Sequence, residues 1–224
     1  MKTLLILLFV ILSTYNSYAE TRIKIVVIDS GISKVYKNRP YLCKDGIKTV
    51  LNDDGFDEVG HGTNVIGLIV KNMNIKKYCI VSIKTWSRKL TFSQIRRATI
   101  DSVMMASNYK TPYINISMAG GLNSIAELDF IKKIIDSGTT ISVAAGNDGR
   151  KLDKLTCFTF PACYKYDLTP KQQKKFIVIS SNTTEYPNTG DVVDYYLDGK
   201  DKGFPKMSGT SQATAIFTSR LLSK

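Results

Sequence analysis

Five short runs of apolar, mostly β-branched residues punctuate this chain, at 23–28, 80–83, 113–116, 140–143 and 176–179. Such runs have no polar face, so as strands they must be covered on both sides. Helical signals lie between them. Thr91-Phe92-Ser93-Gln94 fits a capping box, and Phe92, Ile95, Ala98, Ser102 and Met105 then fall on one helical face. Ser124-Ile125-Ala126-Glu127 reads as a second capping box, with that helix stopping at Gly138. Strand–helix alternation of this kind predicts an α/β fold: three α/β/α layers around a mostly parallel central sheet. The stretch 156–175, with two cysteines and two prolines, reads as a loop.

The N-terminus reads as an export signal. Lys2 supplies a positive start, residues 4–12 an unbroken apolar stretch, and Ser17 and Ala19 small residues at the positions a signal peptidase reads. The apolar stretch is too short to span a bilayer. The expectation is a signal peptide over 1–19 and one domain over 20–224, secreted or periplasmic, with no membrane span after signal removal. The net charge of +12 is scattered in pairs such as Lys76-Lys77, Arg96-Arg97, Lys132-Lys133 and Lys174-Lys175. None has the length or aromatic interleaving of a nucleic-acid surface, so no nucleic-acid partner is expected. A solvated basic surface or an attraction to acidic partners both fit.

Four cysteines in an exported chain point to disulfides. Cys157 and Cys163 lie close enough on one loop to close a small ring, which leaves Cys43 for Cys79. No CxxC pair exists, so no metal ligand set is read from the cysteines.

The chemistry concentrates on four short words. The only histidine, His61, lies in Gly60-His61-Gly62-Thr63; any histidine-based proton transfer must be its own. Asp29 closes the run Ile25-Val26-Val27-Ile28, which places it at the carboxyl end of a central strand, where α/β folds collect functional groups. Ser211, in Ser208-Gly209-Thr210-Ser211, sits at a turn into the last helical segment. Serine needs an adjacent base to act as a nucleophile. Asn147 follows the run through Ala144-Ala145-Gly146 and offers an amide to a developing oxyanion. Taken singly, Asp29 and Ser211 could be helix caps and Asn147 a turn residue.

In this order, with these neighbours, the four words resemble those of the subtilisin-like serine proteases, the subtilase family, over residue 23 to about 215. The resemblance implies Ser211 as nucleophile, His61 as general base and then acid, and Asp29 as its orienting partner. Asn147 and the Ser211 N–H would form the oxyanion hole. Ser117, Met118, Ala119 and Gly120, with Ala144, Ala145 and Gly146, would bind an extended peptide or protein substrate. Ala119, where the family often has glycine, would narrow the pocket for the residue before the cut. Calcium, common in the family, could be offered oxygens by 52–58, an acidic loop; no cofactor is otherwise expected.

The family words are also altered. Asn64 and Ile66 stand where HGTHVAG is usual, and Gln212 and Ala215 where SGTSMA(T)P is usual. Only residues 20–22 would precede the first strand, with no pro-region evident, so a separate folding partner or inhibitor enters as an expectation. The expected function is an exported serine endopeptidase acting through an acyl-enzyme. The alternative is a non-catalytic binding protein on a degenerate subtilase fold.

Overall fold

The computed structural model describes residues 20–223; the expected signal peptide lies outside them. Seven strands form one sheet: β1 (Ile23–Asp29), β2 (Leu42–Thr49), β3 (Tyr78–Lys84), β4 (Tyr113–Ile116), β5 (Thr140–Ala144), β6 (Phe176–Ser181) and β7 (Tyr195–Leu197), in the order β2-β3-β1-β4-β5-β6-β7. Every paired neighbour is parallel. The five apolar runs became β1, β3, β4, β5 and β6.

Alternation along β1 explains the three layers. Ile25 and Val27 face a cluster that includes Val65, Ile66 and Ile69 of α1 (His61–Val70) and Ala215 of α5 (Thr210–Leu221). Val26 and Ile28 face the opposite cluster, with Val103 and Ala106 of α2 (Phe92–Ala106) and Ile131, Ile134 and Ile135 of α3 (Ile125–Asp136). All four β1 side chains are completely buried, and burial of each such side chain stabilises by about 1.5–3 kcal/mol. Cys43 bonds Cys79, tying β2 to β3, and Cys157 bonds Cys163.

Four details differ from the reading of the sequence. β2 and β7 lie at the two sheet edges; β2 carries polar residues and a bulge between Leu42 and Ile47, so it shows no apolar run. The stretch 156–175 is not all loop: a 3-10 turn spans Ala162–Asp167 and the short helix α4 spans Pro170–Gln173, capped by Thr169 and Gln172. Phe92 is exposed; of the expected α2 face Ala98 and Ser102 are buried, together with Arg96, Thr99, Val103 and Ala106. The Ser124 hydroxyl does cap α3 by accepting from the Glu127 N–H, but the Glu127 carboxylate turns inward to Arg96 rather than back to the cap. Arg96 is therefore buried and paired, not part of a solvated surface.

In sheet order β3 and β4 flank β1. The chain thus crosses to either side of β1, which opens a crevice beyond the carboxyl ends of these strands. Asp29, Ser117 and Ala144 all lie at that edge.

Candidate active site

Asp29 is fully buried at the end of β1. Its Oδ1 accepts from the Ser30 N–H and lies 2.7 Å from Nδ1 of His61. Its Oδ2 is buried without a partner. An under-solvated carboxylate gains most when the neighbouring imidazole becomes a cation, which is the state a general base enters. His61 opens α1 after Gly60, whose φ of 94° suits glycine. Gly62 is equally constrained: a Cβ there would stand 2.2 Å from the Gly31 carbonyl oxygen. The close approach of these two turns brings Nδ1 to the carboxylate.

A second acid organises this turn. Asp57 Oδ1 accepts from the Ser30 hydroxyl at 2.8 Å and from the Val59 and Gly60 N–H groups. Its Oδ2 accepts from the N–H and hydroxyl of Thr63. Ser30 in turn receives the Gly62 N–H at 2.8 Å. Burial draws the His61 pKa down, but the charge and hydrogen bond of Asp29, aided by the charge of Asp57, outweigh it and hold the imidazole above the ordinary 6.5. The Trp86 ring meets the imidazole edge-on, 5.6 Å between centroids.

Ser211 lies in the first turn of α5 after Gly209. Its backbone N–H is among those a helix start leaves without an intrahelical acceptor. Its hydroxyl donates to the Ser117 carbonyl at 3.1 Å rather than to His61, while the Ser117 hydroxyl donates back to the Ser211 carbonyl at 3.3 Å. Ser211 and His61 nonetheless line the same cleft, and catalytic hydrogen bonds are commonly long or poorly aligned in resting enzymes. Asn115, fully buried on β4, supports this pair by donating to the Ser117 hydroxyl.

The Asn147 Oδ1 accepts from the Thr210 N–H at 2.9 Å. That bond fixes the amide plane and leaves the Nδ2 hydrogens available. The turn before it is held by Asn188, fully buried, whose Nδ2 donates to the Ala145 carbonyl and whose Oδ1 accepts from Asp148 and Arg150. Gly146, at φ 99°, leaves no room for a side chain: a Cβ would meet Asn188 Nδ2 at 2.6 Å.

His61, Trp86, Ser117, Met118, Ala119, Ala144, Gly146, Asn147 and Ser211 line one cleft of about 510 Å³. Ala119 and Gly146 oppose each other, with 3.6 Å between the Ala119 Cβ and the place a Cβ would take on Gly146. Two of the expected substrate-binding residues fall elsewhere. Ala145 is in the core, and the Gly120 backbone is occupied by reciprocal bonds with Phe160. Against the acidic loop 52–58, Asp53 holds the buried Lys84 ammonium at 2.7 Å and Glu58 holds the Ser87 hydroxyl, while Asp57 is committed as described. An ammonium beside Asp53 takes the position a divalent cation would need, so this donor set does not suit calcium.

Trp86 and Asn188 carried no functional signal in the sequence, and Asp57 entered only as part of the acidic loop 52–58. The two altered family positions turn out to be partners. Gln212 Nε2 donates to Asn64 Oδ1 at 3.0 Å, and Asn64 Nδ2 donates to the carbonyls of Lys202 and Pro205. One bond thus links the helix that starts with His61 to the residue after Ser211.

This geometry accords with known proteins. Residues 20–221 match the family model described as the Subtilase family. The chain is 28% identical over 215 residues to subtilisin-like protease 3 of Trichophyton tonsurans, covering 89% of this chain and 51% of that protein. It is 28% identical over 224 residues to alkaline serine exoprotease A of Vibrio alginolyticus, covering 89% and 38%. The chain spans about half the length of the first of these relatives or less. In fold it is similar to a cold-adapted subtilisin-like serine proteinase, with a TM-score of 0.65 and 24% identity over 90% of this chain and 76% of the other. It is also similar to a lanthipeptide protease, with a TM-score of 0.68 and 18% identity over 88% and 71%. A family match over nearly all described residues, on a sheet and site built as above, means that this chain belongs to the subtilase family.

Proposed function

We propose that this protein is an exported serine endopeptidase that hydrolyses peptide bonds through an acyl-enzyme. The observation that carries the reading is the buried Asp29–His61 pair at 2.7 Å, in one cleft with Ser211 at a helix start and the oriented Asn147 amide. Ser211 Oγ attacks the scissile carbonyl as neutral His61 accepts its proton. The carbonyl oxygen, now negative, receives hydrogen bonds from Asn147 Nδ2 and the Ser211 N–H. His61 then protonates the departing amine. Water, deprotonated by the same imidazole, cleaves the ester and returns the proton to Ser211. Asp29 keeps Nε2 free to accept by holding the proton on Nδ1.

Peptide residues before the cut lie along Ser117–Ala119 as an added strand. The facing Ala119 and Gly146 leave a slot suited to small or unbranched side chains there, rather than large aromatic ones. Both disulfides accord with an oxidising destination, and no helix among the described residues is long and apolar enough to cross a membrane. Hydrolysis of a quenched peptide library by the wild type, lost in Ser211→Ala, is the expected result. A folded wild type that cleaves nothing would point to a binding protein on this fold.

A further inference from the structure

Beside His61 lies a second groove, of about 350 Å³, whose apolar lining is Val35, Tyr36, Val59, Phe204 and Pro205, with Gly60, and whose polar lining is Ser33, Asp57, Glu58 and Thr63. Val35 and Phe204 are 79% and 85% exposed. Large apolar side chains held this openly mark contact surfaces when they are clustered. Here both line one concave space next to the catalytic cleft. Gly60 adjoins His61, and the Met207 side chain, which lines the catalytic cleft, approaches to 3.6 Å from where a Cβ on Gly60 would stand.

The Phe204 wall is rigid. Lys202 and Met207 exchange backbone hydrogen bonds, closing a hairpin around 203–206. Asn64, completely buried, pins the hairpin from beneath with bonds of 2.8 and 2.7 Å to the Lys202 and Pro205 carbonyls. Gly203, at φ 73°, permits this contact, since a Cβ there would lie 2.4 Å from Asn64 Nδ2. Asn64 is itself held by Gln212, the neighbour of Ser211. A surface held in place before its ligand arrives loses little entropy on binding.

Which part of a peptide would reach this groove follows from the chemistry, if the protease reading holds. The acyl half lies along Ser117–Ala119, with its carbonyl at Asn147. The departing amine must meet His61 to be protonated, so the chain after the cut leaves past His61, Gly60 and Met207. We infer that the Val35–Phe204 groove binds the segment of the substrate after the scissile bond and selects apolar side chains at the second and third positions beyond it. The inference rests on the proposed activity, and the test separates the two.

Two quenched peptides are compared that share every residue up to the first position after the cut, one continuing with Leu-Phe and the other with Ser-Ser. The wild type should cleave the apolar peptide with a kcat/KM roughly tenfold higher, the worth of burying one modest apolar surface. The ratio between the peptides, taken on one preparation, does not depend on how much of the enzyme is active. It should fall toward one in Phe204→Ala and in Val35→Ser; either variant suffices if the other fails to fold. Equal cleavage of the two peptides by the wild type, or a ratio unchanged in the folded variants, would overturn the groove and leave the protease standing. Cleavage of neither peptide, with no labelling by a fluorophosphonate, would remove both.

Discussion

Proton transfer in this site depends on a single side chain. Under the proposed mechanism turnover requires neutral His61, whose pKa Asp29 and Asp57 hold above the ordinary 6.5 against the effect of burial. Activity should therefore fall as pH drops through a value above the ordinary histidine one. The same raised pKa means that the Asp29–His61 interaction contributes full stability below about pH 6.5 and loses it as pH rises through the folded-state value. Asp57→Asn removes one of the two negative charges and should move the acid limb of kcat/KM to lower pH, with some loss of stability from the disrupted Val59–Thr63 turn. A limb unmoved in a folded Asp57→Asn protein would exclude Asp57 from tuning the base. Asn147→Ala should lower kcat by about 10²–10³ and change KM little, because its amide acts on charge that develops in the transition state.

The elements carrying these residues are fixed by contacts of very different visibility. The capping box of α2 is local and legible: Thr91 and Gln94 bond each other as the spacing requires. Glu127 has the same local signature but a different fate, because Tyr164 and Arg96, the latter also bonded to the Leu122 carbonyl, donate to it only in the folded chain. Breaking that buried pair with Glu127→Ala should destabilise by about 3–5 kcal/mol, measured by urea unfolding, since it strands the Arg96 charge. The site words at Asp29, His61, Asn147 and Ser211 could be read because each lies in a short glycine turn at a strand end or helix start. Their supports could not: Asn188 holds the oxyanion turn from 40 residues away, and Asn64 and Gln212 are 148 residues apart. Asn64 and Gln212 stood out in the sequence only as departures from a pattern, and Asn188 not at all. A double-mutant cycle of Asn64→Ala and Gln212→Ala should give a coupling of about 0.5–3 kcal/mol, and additive effects would deny the contact a role.

Over the whole molecule the apolar runs marked the five inner strands but not their order in the sheet. The edge strands β2 and β7 have one neighbour each and a mixed composition, which leaves no periodic signal. Both disulfides form as the sequence led one to expect, but they differ in span: Cys43–Cys79 closes a separation of 36 residues across β2 and β3, and Cys157–Cys163 one of 6. Chain-entropy arguments assign roughly 4 kcal/mol to the first and roughly 2 kcal/mol to the second. Replacing the first pair by alanine should lower the melting temperature more than replacing the second; the reverse order would mean that native packing, not the unfolded ensemble, dominates. The proposed catalytic groups come from a strand end at Asp29 and from the starts of α1 and α5 at His61 and Ser211, so their reactivity tests the fold and the site together. The most direct measurement is labelling with a fluorophosphonate above the His61 pKa, followed by mass spectrometry of the digested protein. One adduct on Ser211, abolished in Ser211→Ala and strongly slowed in His61→Ala, is the expected result. A folded wild type that takes no label, or takes it on another residue, would contradict the assignment of Ser211 as an activated nucleophile.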